Sequence, residues 1–199
     1  MDEAAPAKPN TAASQRRGLR ARVTSAILEA AASAFARDGD VSMADVADAA
    51  GVARATLYRY FPNRDALVDA VAETALADAA GRLDSARIAE IPIGDGVART
   101  VRALVEIGDP FIVAGRERLR TDAEAFDRSV VAPIAAMFER GSAAGAIRGD
   151  VPPRWLAEVL IGLVVAGLGA RPVLARDDLV AAISSVFLDG TRTLRVSLP

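Results

Sequence analysis

The sequence predicts an all-α fold of about nine helices, and three observations predict it. Alanine-rich segments repeat their apolar residues with a period near 3.6, alternating β-branched runs are missing, and no Asn-Gly or Asp-Gly turn joins two such runs. The first helix is expected from about Arg20 to Asp38, with Ile27, Ala31, Ala34 and Phe35 as its buried stripe and Gly39 as its stop. Ser42 is a good N-cap for the second helix, and Asp45 stands three residues on, where it can return a bond to the cap. Met43, Val46, Ala47 and Ala50 form the inner face of that helix, and Gly51 follows where a helix end commonly needs φ > 0. A short third helix then runs to Tyr60, where Pro62 ends it by pushing Phe61 toward extended geometry. Asn63 caps a long fourth helix, Arg64 to about Leu83, with Leu67, Ala70, Val71 and Thr74 inward.

A break at residues 91–96 (IPIGDG) separates this from five further helices, expected at about 97–108, around Phe111, and at about 123–144, 154–170 and 177–195. The chain is divided into a disordered tail at 1–18, a small helical unit at 19–66 and a larger helical unit at 67–199. The opening MDEAAPAKPNTAASQ is acidic at its start and has no apolar h-region, so it reads as a tail rather than a signal peptide. The longest uncharged apolar run, Val159 to Ala170, is shorter than the roughly 20 residues of a membrane span. No membrane partner and a cytoplasmic address are expected.

With 199 residues, 52% of them hydrophobic and 25% charged, the chain can bury a substantial core. Cysteine and histidine are both absent, which excludes disulfides, thiol nucleophiles, Cys or His metal sites and every His-based catalytic arrangement. The single lysine, Lys8, lies in the tail, so neither a Schiff base nor a P-loop is supported. No metal or cofactor is expected. An enzyme would have to rely on paired carboxylates, and no Asp/Glu cluster in an apolar setting presents itself. Net charge is −2, yet from Arg16 to Arg64 eight arginines face five acids, a local net of +3. A basic end on an acidic chain suits a confined contact with nucleic acid.

The third helix explains where that contact would be. At about 100° per residue, Ala53, Leu57 and Phe61 fall on one side, while Arg54, Ala55, Thr56, Tyr58 and Arg59 sweep the other. One side docks on the second helix, where Ala47 permits a close crossing, and the other is left free, as in a helix-turn-helix. Arginines suit phosphate and the guanine edge, hydroxyls of threonine and tyrosine suit phosphate oxygens, and Ala55 leaves room for a thymine methyl. Asn63 and Arg64 add a helix start and a cation just beyond, and Ser42 and Met43 open the second helix beside it.

The run SMADVADAAGV at 42–52, followed by RATLYRYF at 54–61 and RDAL at 64–67, resembles the DNA-binding domain of TetR-family transcriptional regulators, over about residues 20 to 70. The resemblance implies an all-helical homodimer that binds a double-stranded palindromic operator, usually as a repressor released by a small-molecule effector. It also implies that Thr56, Tyr58 and Tyr60 are phosphate or groove-wall contacts, that Arg54, Ala55 and Arg59 read bases, and that Arg64 clamps the backbone. Two positions depart from the family pattern: the clamp is more often lysine, and Ala44 stands where a polar or basic residue is common. Arg16, Arg17, Arg20 and Arg22 form an arginine-rich arm that either tracks DNA or is merely solvated.

Beyond Gly96 the resemblance is one of helical layout. A pocket is expected from Val101, Leu104, Val105, Phe111, Phe126, Met137, Phe138 and Trp155, lined for an apolar or weakly polar effector; an anionic one would need Arg102, Arg116, Arg118 or Arg120. Gly162, Gly167 and Gly169 suggest close helix approach. A four-helix dimer interface is expected from Leu156, Leu160, Leu163 and Gly167 together with Leu179, Ile183, Val186 and Phe187. The alternative is a helical dimeric interaction or small-molecule-binding protein without DNA binding, against which Arg54, Tyr58 and Arg59 argue.

Overall fold

The structure is a computed structural model that describes residues 11–38, 40–117, 122–170 and 174–191, with side chains from residue 14 onward. Its helices in chain order are α1 (Thr11–Arg37), α2 (Met43–Ala49), α3 (Arg54–Tyr60), α4 (Arg64–Ser85), α5 (Ile93–Val105) and α6 (Asp109–Glu117). Next comes α7, a continuous run of Ala123–Phe126, a π-helical turn at Asp127–Val131 and Ala132–Ala143, followed by α8 (Pro153–Gly169) and α9 (Arg176–Thr191). Counted this way there are nine helices and no strand among the described residues. Gly39, Lys8, Arg118, Arg120 and Leu194 lie outside them.

Three element boundaries differ from expectation for identifiable reasons. Helix α1 begins at Thr11, so residues 11–18, read as tail, are helical; Ala12, Ala13, Gln15, Arg16, Arg17 and Leu19 are all good or fair helix formers. Helix α5 begins at Ile93 rather than near residue 97, because Pro92 takes the N-cap and Gly96 is a packing residue: a Cβ there would lie 2.6 Å from Met137 Sδ. The π-helical turn in α7 interrupts what the periodicity presents as one regular helix. It lies just before Pro133, whose ring offers no N–H to the carbonyl four residues back, so the ladder widens there instead of breaking.

Two cores stack along the molecule. The first gathers Ile27, Ala31, Ala34 and Phe35 of α1, Val46 and Ala47 of α2, Leu57 of α3 and Leu67, Val68 and Val71 of α4, with Ile112 and Val113 of α6 closing it. The second runs from Ala72 in α4 through α5, α7, α8 and α9, with Phe111 and Ala114 of α6. The expected division at 66/67 therefore falls inside a helix that serves both cores. Helix α6 also serves both, facing one with Ile112 and Val113 and the other with Phe111 and Ala114. Side-chain bonds fix it to α1 at both ends: Ser33 Oγ donates to Asp109 Oδ2 at 2.7 Å, and Arg116 Nη1 donates to the Ala36 carbonyl at 3.0 Å.

Candidate nucleic-acid interface

The presentation of α3 begins with the two ends of α2. Ser42 Oγ accepts from the Asp45 amide at 3.2 Å while Asp45 Oδ2 accepts from the Ser42 amide at 3.2 Å, the reciprocal capping box read from the sequence. The Ser42 hydroxyl donates to the same carboxylate at 2.5 Å. These Ser42 bonds, first the hydroxyl and then the amide, hold the Asp45 carboxyl below its ordinary value, with a smaller pull from the Arg54 charge. At the other end Gly51 has φ +66°, its amide donates to Asp48 O, and Val52 N donates to Ala47 O at 3.0 Å. This pair of hydrogen bonds ends the helix and swings the chain sharply into α3.

Helix α3 is only 7 residues long and buries a single side chain completely, Leu57 at 0% exposure. An isolated helix of two turns is not stable in water, so Leu57, with Phe61 just past the end, anchors it to α1, α2 and α4. Arg54, Ala55, Tyr58 and Arg59 are exposed, while Thr56 and Tyr60 are half-buried on the flanks. Ala53, expected on the docked side, is the exposed N-cap instead, so the docking face is narrower than the helical arc suggested. The Tyr60 ring is flanked by two guanidiniums, Arg20 at 5.5 Å and Arg59 at 5.7 Å from its centroid. Asn63 Oδ1 caps α4 by accepting from Ala66 N at 2.8 Å, and the half-buried Arg64 lies with its Cζ 4.8 Å over the Phe35 ring.

The sequence-predicted DNA set is thereby brought together with two corrections. Met43 is 8% exposed, its side chain belonging to the first core, so it has no side chain to offer a duplex. Ser42 is exposed, but its hydroxyl is engaged in the cap beside a carboxylate, a poor neighbour for phosphate. The remaining residues, Arg54, Ala55, Thr56, Tyr58, Arg59, Tyr60 and Arg64, occupy one continuous stretch from the start of α3 to the start of α4.

The expected pocket set is located differently. Val101, Leu104, Val105, Phe111, Phe126, Met137 and Phe138 are all within 2% of complete burial and form the heart of the second core. Phe111 and Phe126 stack at 6.4 Å, and Phe138 meets Phe187 at 5.2 Å. Trp155 does not join them; it is 57% exposed at the start of α8, because the inward face there belongs to Leu156 and Ala157. Of the arginines considered for an anionic ligand, Arg102 pairs with Asp177 at 2.7 Å and Arg116 holds α1, so both have structural partners.

The expected dimer face needs the largest correction. Leu156, Leu160, Leu179, Ile183 and Phe187 are buried inside the protomer, where α8 and α9 pack on α5 and α7. Gly167 allows close approach, but within one chain: a Cβ there would meet Leu179 Cδ1 at 2.8 Å. Of the predicted set only Val186, at 65% exposure, is exposed; Leu163 is half-buried and packs against the second core. Exposed with Val186 are Trp155, Gly162 and Ala166 on α8 and Ala182 and Gly190 on α9, of which the sequence singles out only Gly162 for helix approach, while Val159 is half-buried against the second core. The signal was present as a second stripe of small and apolar residues opposite the first, masked by the larger leucines.

Comparison with known proteins places these features. Residues 27–71 match the family model described as bacterial regulatory proteins, tetR family. Over 193 residues the chain is 28% identical to the HTH-type transcriptional repressor LfrR of Mycolicibacterium smegmatis, covering 92% of this chain and 98% of that protein. A crystal structure of LfrR with proflavine superposes with a TM-score of 0.71 over 88% of this chain and 99% of the other. An uncharacterized HTH-type transcriptional regulator of Bacillus subtilis, YhgD, is 27% identical over 70% of this chain and 79% of its own length.

Proposed function

The chain belongs to the TetR family of transcriptional regulators, and from that premise we propose that it is a homodimeric repressor, not an enzyme, that occupies a palindromic operator in the cytoplasm and leaves it when a small molecule binds. One observation carries the reading: α3 hangs on Leu57 while Arg54, Ala55, Tyr58 and Arg59 face outward without a protein layer over them. A helix built so can lie in a major groove, with Arg54 and Arg59 reaching base edges, Ala55 allowing close approach, and Thr56, Tyr58, Tyr60 and Arg64 meeting phosphates. Stacking on Phe35 presets the Arg64 direction, which favours a clamp role for a guanidinium in place of the usual lysine.

The dimer contact is the exposed stripe of Trp155, Gly162 and Ala166 on α8, flanked by the half-buried Val159 and Leu163, against Ala182, Val186 and Gly190 on α9 of a second copy. The i, i+4, i+7, i+8 and i+11 spacing on α8 and the i, i+4 and i+8 spacing on α9 give each helix one continuous seam, and two-fold symmetry makes the patch self-complementary. The effector is apolar or weakly polar and enters the Phe-rich second core; the LfrR structure to which the chain is similar holds proflavine, a planar aromatic molecule though a charged one. Swelling that core would push on α6, which is tied to α1 by Ser33–Asp109 and Arg116–Ala36, and so would reorient the α3 pair.

The test is selection of bound duplex from a random pool, followed by binding of variants and a screen for compounds that release the selected DNA. Tyr58→Ala and Arg64→Ala are expected to weaken all sequences alike, and Arg54→Ala and Arg59→Ala to relax preference at one or two positions by about 1–3 kcal/mol each. Failure to enrich any sequence, or four variants with wild-type binding, would remove the reading. A monomeric mass in sedimentation at micromolar concentration would remove the dimer.

A further inference from the structure

We propose that the N-terminal half of α1 is a second DNA-contacting element, an arginine-bearing overhang that follows the phosphate backbone bordering the groove occupied by α3; this rests on the DNA-binding reading above. At about 100° per residue, Arg16 and Arg20 share an arc of roughly 80° with Val23, Ile27, Ala31 and Ala34. In the second half of α1 that arc is the buried one: Ile27 and Ala31 are at 0% exposure and Ala34 at 5%. From residue 14 to residue 22 every residue is exposed, so the helix has run past the body of the domain. The face that packs on the domain further along therefore changes from apolar to cationic where the domain no longer lies beneath it.

The direction of the overhang is fixed by a contact. The Arg20 guanidinium lies 5.5 Å from the ring centroid of Tyr60, the last residue of α3, so this face of α1 borders the end of the DNA-facing helix. Stacking on a ring occupies the flat face of a guanidinium and leaves its in-plane N–H groups directed outward, the arrangement that suits phosphate oxygens. Charge agrees with geometry: after Thr11 four arginines precede the first acid, Glu29. Arg22 points away, about 140° from the centre of the same arc, and supplies an internal control of equal charge.

The experiment measures affinity of the full chain for its selected operator duplex across a salt series. Each phosphate-binding cation contributes about 0.9 to the slope of log K against log salt and two copies bind one operator, so Arg16→Ala with Arg20→Ala is expected to lower it by about 3.6 with the selected sequence unchanged. Arg22→Ala is expected to keep the wild-type slope. Arg16→Ala alone, which leaves Tyr60 and Arg20 in place, is expected to lower it by about 1.8. An unchanged slope in the double variant overturns the inference, as does an equal fall in Arg22→Ala or a fall in the double variant with none in Arg16→Ala, which would be repacking of Tyr60. If the wild type binds no duplex, it is the DNA-binding reading that falls instead.

Discussion

Helices α3 and α9 are held in opposite ways. Helix α3 fixes itself through one fully buried side chain and leaves most of its surface outward, whereas α9 buries Leu179, Val180, Ile183, Ser184, Phe187 and Thr191 against α5 and α8 and keeps a narrow strip of Ala182, Val186 and Gly190 outside. A helix that enters a duplex, as proposed for α3, can be thinly anchored because the groove is a rigid partner that completes its positioning. A helix that meets a second copy of the chain, as proposed for α9, needs its own protomer to set its position first. The difference teaches that a short, singly anchored helix leaves its polar surface readable as a candidate contact, while a broad apolar stripe on a long helix forms the core and masks the narrower exposed strip opposite it.

The sharpest way to break this contrast is to cut into both cores. Phe138→Ala removes a fully buried ring from the second core and is expected to cost about 3–5 kcal/mol in chemical unfolding. Where the variant remains folded, its DNA selectivity should be that of the wild type. Leu57→Ala is expected to cost about 2–5 kcal/mol and to abolish operator binding even under conditions where circular dichroism reports a folded protein. Equal weakening of binding in the two variants would mean that α3 has no special dependence on its single anchor.

Glycines sharpen the comparison at lower amplitude. Gly96→Ala places a methyl 2.6 Å from Met137 Sδ and is expected to destabilise by about 1–3 kcal/mol. Gly162→Ala, with no neighbouring atom within 4 Å in the protomer, is expected to raise protomer helix stability by up to about 1 kcal/mol while weakening self-association read by sedimentation. A Gly162→Ala variant that dimerises like the wild type would move the seam off this part of α8.

The smallest effects lie at the α2 cap. Ser42→Ala is expected to cost about 1 kcal/mol. Because bonding to Ser42 lowers the Asp45 carboxyl in the folded state, its contribution is fully present above the ordinary carboxylate value and is lost as pH falls through its lowered one. The stability gap between wild type and Asp45→Asn should therefore close on acidification, and a gap that widens would assign the bond elsewhere.

Much of the DNA end could be read from residue types because its determinants are local. The capping box at Ser42 and Asp45, the positive φ at Gly51, the extended Phe61 before Pro62 and the Asn63 cap all follow from backbone chemistry within a few residues. Even there, Met43 is buried beside Val46 and Ala47, as the inner-face stripe predicts, and so does not present the side chain to a duplex that its place in the candidate DNA set required. The start of α1 at Thr11 escapes a reading of composition, which does not separate a helix of alanine, glutamine and arginine from a solvated tail of the same residues.

By itself, then, the sequence determined the all-helical class, the order of nearly every element, the turn between α2 and α3 and the outward chemistry of α3, all consequences of periodicity, caps and special backbone positions. Only the tertiary structure decided which stripe of α8 and α9 faces inward, that Trp155 lies on the surface, that Gly96 and Gly167 are contact points, and that α6 belongs to both cores. The physical reason is that a helix with apolar residues on two faces has no local preference between them. The choice is made by the volume and position of neighbours far away in sequence, and it exists only once they have packed.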